Sequence, residues 1–300
     1  APPRAAGPAD ITFFDPRYCA WHDVAVSRAA AVIVSTRHAA TLPVAHCLAV
    51  TDFARACARA AAWLTPRVRA TGGRFPTASV AGDATIHPAA TLATSVRIGS
   101  GSRVEAGVVL GDDVVIGDWC SIGPGAVIAA GVTIGNRVSI GAGSVVGERG
   151  FAFVRDGEQW LRMPTFGSVV IEDDVVILAG AVVHAGVFGM THIGRGCALD
   201  SLVLIGHDAR LGANTAIAGH SAVAGGANVG PGCRIGGRVA IGEGVTIADR
   251  VTVGACSMVS RSITQAGAEV ASGWPAQPRL RWWRQVAALR RAAARPDHRA

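Results

Sequence analysis

The chain has 300 residues, 50% of them hydrophobic and only 16% charged, which supplies ample material for a buried core and excludes a disordered chain. Its 38 glycines, single tyrosine and all-arginine basic residues argue against a helix-rich interior and for a repetitive, glycine-punctuated one. The net charge is +7, and cysteines at 19, 47, 57, 120, 197, 233 and 256 show no C-x-x-C spacing or dense framework, which excludes a zinc knuckle and a disulfide scaffold.

Residues 1–79 lack any long period and are expected to form a small α/β domain. The run "AAAVIVS" reads as a strand, "TDFARACARAAAWL" as a helix, and "TPRVRATGGRFP" as a linker. The opening "APPRAAGPAD" has no apolar signal core, and the longest nearly apolar run, Val175 to Met190, is interrupted by His184 and short for a bilayer span. A cytoplasmic chain with free thiols and no membrane-spanning segment is the expectation.

From residue 80 to 264 one rule dominates. Val80, Ile86, Leu92, Ile98, Val104, Leu110 and onward to Val146 fall six apart, a short second series holds Ile171, Ile177 and Val183, and a third runs from Ile193 to Val259. A period of six suits neither a 3.6-residue helix nor a long alternating strand. It suits very short strands joined by tight turns, the aliphatic side chain pointing inward. Three units close one triangular coil of eighteen residues, so the fold class is a left-handed parallel β-helix of hexapeptide repeats.

Two segments break the period. Residues 148–168 contain Asp156-Gly157 between aromatic-bearing flanks and read as a hairpin leaving the coil. Four extra residues also intrude between Val183 and Ile193. Insertions in solenoids collect on one face, often the binding face.

Within the third series, His207 stands two residues after Ile205, where most units carry a small or variable residue, and Gly225 stands two after Val223. Eighteen residues separate them, so they stack on one corner at about 4.7–4.9 Å, the spacing of adjacent strands. A neutral imidazole beside a glycine N–H pairs a general base with an oxyanion donor, as direct acyl transfer to an amine requires. Asp200, in place of the usual glycine after Leu199, could orient the imidazole; it lies one triangular side away, so that contact would need a neighbouring subunit of a trimer. Asp208 is the competing partner. His184 and His220 lie 23 and 13 residues from His207, neither a whole number of coils, and no tight histidine pair suggests a metal site.

Residues 265–300 end the chain. "PRLRWWRQVAALRRAAARPDHRA" reads as a C-terminal α-helix stopped near Pro296, and from Arg279 onward it holds seven arginines against one aspartate. Such a local charge is a footprint for something acidic. Nucleic acid is disfavoured because stacking platforms and recognised motifs are missing. An acidic carrier protein and a plain solvated helix both remain open.

The segments "ITFFDPRY", "GFAF…W", "LDSLVLIGHD", "AIAGHSAVAGG", "SMVSRSI" and "ASGWPAQP" occur in an order that resembles the UDP-3-O-acylglucosamine N-acyltransferase family of lipid A biosynthesis, over most of the chain. The resemblance implies a homotrimer with active sites between subunits, moving a 3-hydroxyacyl chain from acyl carrier protein to the 2-amino group of a UDP-sugar. It implies no bound cofactor, the acyl chain arriving on the carrier's phosphopantetheine. It makes His207 the general base, Asp200 its partner and Gly225 the oxyanion donor. It makes residues 1–79 a uridine-binding domain in which Phe13 and Tyr18 sandwich the base, beside Asp15. Met258 would line the acyl channel, Arg261 the catalytic groove or carrier contact, and Arg281, Arg284 and Arg290 would meet the carrier. The chain departs from the family at "VHAG", residues 183–186, where "IDRG" is usual, at Asp208 for asparagine, and at Gly244, near which a second histidine is usual; its α/β domain also starts late. A paralogue acting on another nucleotide amino sugar, or a non-catalytic trimeric binding protein, are the alternatives.

Overall fold

The structure, a computed structural model, describes residues 6–16, 24–25, 27–42, 46–64, 79–93, 95–271 and 278–293. The six-residue period is realised as strands of mostly two residues, whose first residue faces out and whose second, the aliphatic one, faces in. Leu110, Ile122, Ile140, Ile177, Ile205 and Leu211 are among the fully buried side chains. Buried aliphatic side chains stabilise a fold by roughly 1.5–3 kcal/mol each, so a column of them running the length of the coil is its main source of stability.

The strands stack in register into three parallel walls, of nine, ten and nine strands. The first wall runs from Ser79–Val80 to Thr246–Ile247, the second from Thr85–Ile86 to Glu269–Val270, and the third from Thr91–Leu92 to Met258–Val259. Small polar residues fill the tight inner corners and are satisfied there. The Ser102, Thr215 and Ser221 hydroxyls donate to the carbonyls of Gly117, Gly230 and Gly236, each at 2.8 Å.

The outer faces differ in character. On the third wall the outward ladder is apolar, with Val109, Val127, Val145, Val182, Leu204 and Met258 in successive or neighbouring coils. On the first wall the corresponding ladder includes His192, Arg210, Asn228 and Thr246.

Both interruptions of the period leave from one corner, where the third wall passes to the first. After the strand Val145–Arg149 the chain forms an antiparallel hairpin, Phe153–Asp156 against Gln159–Arg162, and rejoins the first wall at Ser168–Ile171. One coil later, residues 187–189 form an extra loop between the strands Val182–Ala185 and Met190–Ile193.

Residues 11–50 form a three-stranded parallel sheet, Ile11–Phe14, Ala31–Ser35 and Cys47–Val50. Alternation sends Phe14, Val32 and Val34 to one face and Phe13 and Ile33 to the other. That second face packs with Phe53 and Cys57 of the helix Phe53–Leu64 against Ala152 and Met163 of the insertion and Val187 and Phe188 of the loop. Asp52 caps the helix by accepting from the Arg55 N–H at 3.0 Å. Arg59 and Arg55 then reach Asp156 at the hairpin turn, at 2.8 and 3.5 Å. The α/β domain is thereby anchored over the corner from which both insertions emerge. The C-terminal helix spans Arg279–Ala293 and carries exposed Leu280, Trp283 and Leu289.

Candidate active site

The corner beneath the two insertions holds a column of residues one coil apart, His207, Gly225, Glu243 and Arg261, each two positions beyond an inward aliphatic. Asp208 follows His207 in the left-handed conformation (φ 57°), at the turn position where the next coils carry Gly226 and Gly244. Aspartate tolerates that region better than most side chains, and here the turn aims its carboxylate back toward the loop above. Oδ2 accepts from the Val187 N–H at 2.9 Å and Oδ1 from the Gly189 N–H at 3.0 Å. The Asp208 N–H in turn donates to Thr191 Oγ1 at 2.9 Å.

His207 Nδ1 lies 2.9 Å from Asp208 Oδ2, the two side chains being 15% and 11% exposed. Burial by itself would raise the Asp208 carboxyl, but the hydrogen bonds from His207, Val187 and Gly189 outweigh it and hold the group below its ordinary value. An ionised carboxylate only accepts, so Nδ1 is the donor of this bond, and in the neutral imidazole Nε2 keeps its lone pair. The ring lies across Gly225, where a Cβ would meet Nε2 at 2.5 Å and Cε1 at 2.6 Å. Only glycine leaves room for the imidazole. The Gly225 N–H has no hydrogen-bond acceptor among the described residues.

Two cavities meet here, and a third adjoins one of them. One of about 230 Å³ lies between the α/β domain, the hairpin and His207, with Phe53, Phe153, Met163 and Phe188 in its walls. A second, of about 680 Å³, runs down the first wall past Met190, Arg210, Gly225 and Asn228; Asp208 and Glu243 line both. A third, of about 630 Å³, lies at the carboxyl ends of the three parallel strands, between Asp15, Arg37, His38 and Asp52, and shares Phe53 and Ala54 with the first. The crevice outside the carboxyl ends of parallel strands is a favoured ligand position. A base with an open lone pair, an adjacent unused N–H and cavities on both sides can serve group transfer between two bound molecules.

Comparison with known proteins decides the family. Residues 95–130 and 113–148 match the bacterial transferase hexapeptide family (six repeats), and residues 226–261 the hexapeptide repeat of succinyl-transferase. A UDP-3-O-acylglucosamine N-acyltransferase of Pseudomonas syringae pv. tomato is 35% identical over 95% of this chain and 82% of its own length. The chain belongs to the UDP-3-O-acylglucosamine N-acyltransferase family. It is an acyltransferase. The Methylobacillus flagellatus protein of the same name is 43% identical, but that match spans 50% of this chain and 43% of the relative. Among solved structures, a UDP-N-acetylglucosamine acyltransferase of Bacteroides fragilis is similar in fold, with a TM-score of 0.50 at 22% identity over 72% of this chain and 78% of that one.

The acyltransferase places the remaining candidates at several points of the fold. Within one chain Asp200 is not brought to His207. It sits at the corner between the second and third walls, where its carboxylate accepts from the N–H groups of Ser201 at 2.7 Å and Gly219 at 2.9 Å. Asp208 has the place at the imidazole. His184, set aside because 23 residues is not a whole coil, is in fact close. The extra loop lengthens that coil, pairing Val183 with Ile205, so His184 stands next to the His207 corner. Burial and then the proximity of His207 push its pKa down, against a smaller opposing pull from Glu148.

Phe13 is buried, its ring centroid 3.8 Å from that of Phe188 and 6.5 Å from that of Phe53, so it belongs to the packed junction between domain and loop. Asp15 lines the cavity at the strand ends, and Tyr18 lies outside the described residues. Met258 is 74% exposed on the third wall, and Arg261 is exposed at the foot of the His207 column. Arg281, Arg284 and Arg290 are exposed on the C-terminal helix. No group of three metal-binding side chains occurs among the described residues. No helix among them is long and apolar enough to cross a membrane. Glu243 was missed from sequence, although counting two coils on from His207 reaches it.

Proposed function

We propose that the chain transfers a 3-hydroxyacyl group from acyl carrier protein to the 2-amino group of UDP-3-O-acylglucosamine in lipid A synthesis, in the cytoplasm. The observation that carries this reading is the His207 imidazole, fixed by Asp208 through Nδ1 and lying over Gly225 where the cavities meet. Nε2 takes a proton from the attacking amine, and the Gly225 N–H donates to the developing oxyanion. The new C–N bond forms, the thioester C–S bond breaks, and the imidazolium returns its proton to the departing sulfur. No bound cofactor takes part, since the phosphopantetheine arm delivers the acyl chain.

The cavity at Asp15, with Arg37 and His38 beside it, suits a nucleotide diphosphate, and its junction at Phe53 leads toward His207. The apolar ladder of the third wall favours a homotrimer, with Asp200 a residue of a neighbouring groove, because an exposed face of that kind is characteristic of an interface. Met258 lies on that ladder and would border an acyl chain held between subunits. Arg261 would meet the incoming carrier near the column. Arg281, Arg284 and Arg290 would draw in the acidic carrier by long-range attraction.

The deciding experiment is acyl transfer from 3-hydroxyacyl carrier protein to UDP-3-O-acylglucosamine, wild type against His207→Ala. Turnover in the wild type, lost by about a hundredfold or more in the variant, supports the assignment. Carrier binding without turnover overturns it. A panel of other nucleotide amino sugars then separates the paralogue reading, which the packing of Phe13 against Phe188 favours, from a binding protein without activity.

A further inference from the structure

Glu243 is the acidic group of this corner that no neighbour engages. Its carboxylate forms no ion pair or hydrogen bond with another described residue, whereas Asp208 is saturated by His207 and two backbone N–H groups. It is two coils below His207 in the same column, so about 10 Å separates their backbones. Gly225 between them contributes no side chain. Gly226 and Gly244 beside them face open space, with nothing within 4 Å of a Cβ built on either. The imidazole covers Gly225, and Glu243 one coil below lines both cavities that open there, the smaller of which also has His207 in its wall. The other charged groups in view are Asp208 and His207 above, Arg210 in the wall of the larger cavity and Arg261 one coil below.

We propose that Glu243 receives the acceptor's amino group in its ammonium form and thereby makes the enzyme prefer an amine to a hydroxyl acceptor. This rests on the transfer reaction proposed above. A sugar ammonium held in the smaller cavity, whose walls include both His207 and Glu243, gains from Glu243 a charge-assisted contact that a neutral hydroxyl at the same carbon lacks. The ammonium first gives one proton to water. The neutral amine then attacks the thioester carbonyl and passes a second proton to Nε2, the C–N bond forms as the C–S bond breaks, and the sulfur leaves as a thiol with that proton. Glu243 is a positioning residue and exchanges no proton in these steps.

The test is calorimetry and steady-state kinetics on wild type and Glu243→Gln, with UDP-3-O-acylglucosamine and with UDP-3-O-acylglucose as acceptor. Measurements are made below and above the amine's pKa, taken as roughly 8 from an ordinary α-amino group. The glutamine variant is expected to weaken binding of the amino sugar roughly threefold to fivefold at the lower pH, with KM rising in parallel. The difference should vanish at the higher pH, and binding of the hydroxyl analogue should be unchanged. Equal losses for both sugars, or none for the amino sugar, overturn the role of Glu243. Discrimination in binding without wild-type turnover supports Glu243 and overturns the transfer reaction. Failure of the wild type to bind either sugar overturns both.

Discussion

Two aspartates eight residues apart, Asp200 and Asp208, occupy turns of the same coil and are used in opposite ways. Each accepts two backbone N–H groups: Ser201 and Gly219 for Asp200, Val187 and Gly189 for Asp208. At Asp200 the bonds close a turn between regular coils, and within one chain its carboxylate holds no catalytic candidate. At Asp208 the donors come from the loop 187–189, which no regular coil has, and the carboxylate holds His207 as well. The residue type is the same, and the insertion above it makes the difference. At Asp208 an irregular neighbour both orients the acidic side chain and leaves a cavity beside it.

The largest effect should come from His207→Ala, which removes the proposed base while leaving the coil intact. A loss of about a hundredfold or more in kcat with unchanged thermal unfolding is expected. A loss accompanied by unfolding would make the corner structural in the manner of Asp200. Gly225→Ala places a methyl group where the imidazole lies and must displace it. Displacement of about 1 Å at a reacting group costs up to roughly a hundredfold, so a kcat fall of tenfold to a hundredfold is expected, and a crystal structure of the variant should show the ring rotated off the floor.

Asp208→Asn and Asp200→Asn sharpen the comparison directly. An amide at 208 can donate to Nδ1, releasing the tautomer that leaves Nε2 free, so kcat should drop at least about tenfold. At 200 the amide still accepts one of the two N–H groups. Stability should fall by about 1 kcal/mol, and kcat should stay within about twofold. Equal kinetic losses at both sites would return Asp200 to the catalytic arrangement through a neighbouring subunit.

The smallest effect is a pH dependence of stability. The folded Asp208 carboxyl is held below its ordinary value, so its ionised form stabilises the fold. That contribution is present above the unfolded-chain pKa of about 3.9 and is lost as acid protonates the folded group. The gap in Tm between wild type and Asp208→Asn should therefore be constant between about pH 7 and 5 and close below about pH 4. A gap that widens on acidification would contradict the assigned hydrogen bonds.

Much of this was readable from residue spacing alone. Side chains in a parallel coil repeat at fixed intervals, so Ile205 and Val223 must pair, and His207 must stack on Gly225. Spacing likewise reaches Glu243 and Arg261. The resemblance to the acyltransferase family was legible in the same way, because its motifs are local strings. The hairpin too was visible, from Asp156-Gly157 between its flanks, and Gly157 takes the positive φ of 66° that such a turn uses.

What spacing could not supply was anything that depends on the path of an insertion. The loop 187–189 changes the length of one coil, and with it the neighbours of His184, His207 and Asp208. Phe13 similarly looks like an open aromatic platform in a string, yet its face is packed because the α/β domain folds down onto Phe188. The sequence by itself determined the six-residue period, the three walls and the column that holds His207, since a repeating hydrophobic pattern admits one economical way to bury itself. Only the tertiary structure decided that Asp208 holds the imidazole and that cavities meet beside it, because those contacts join segments whose relative position no local pattern encodes.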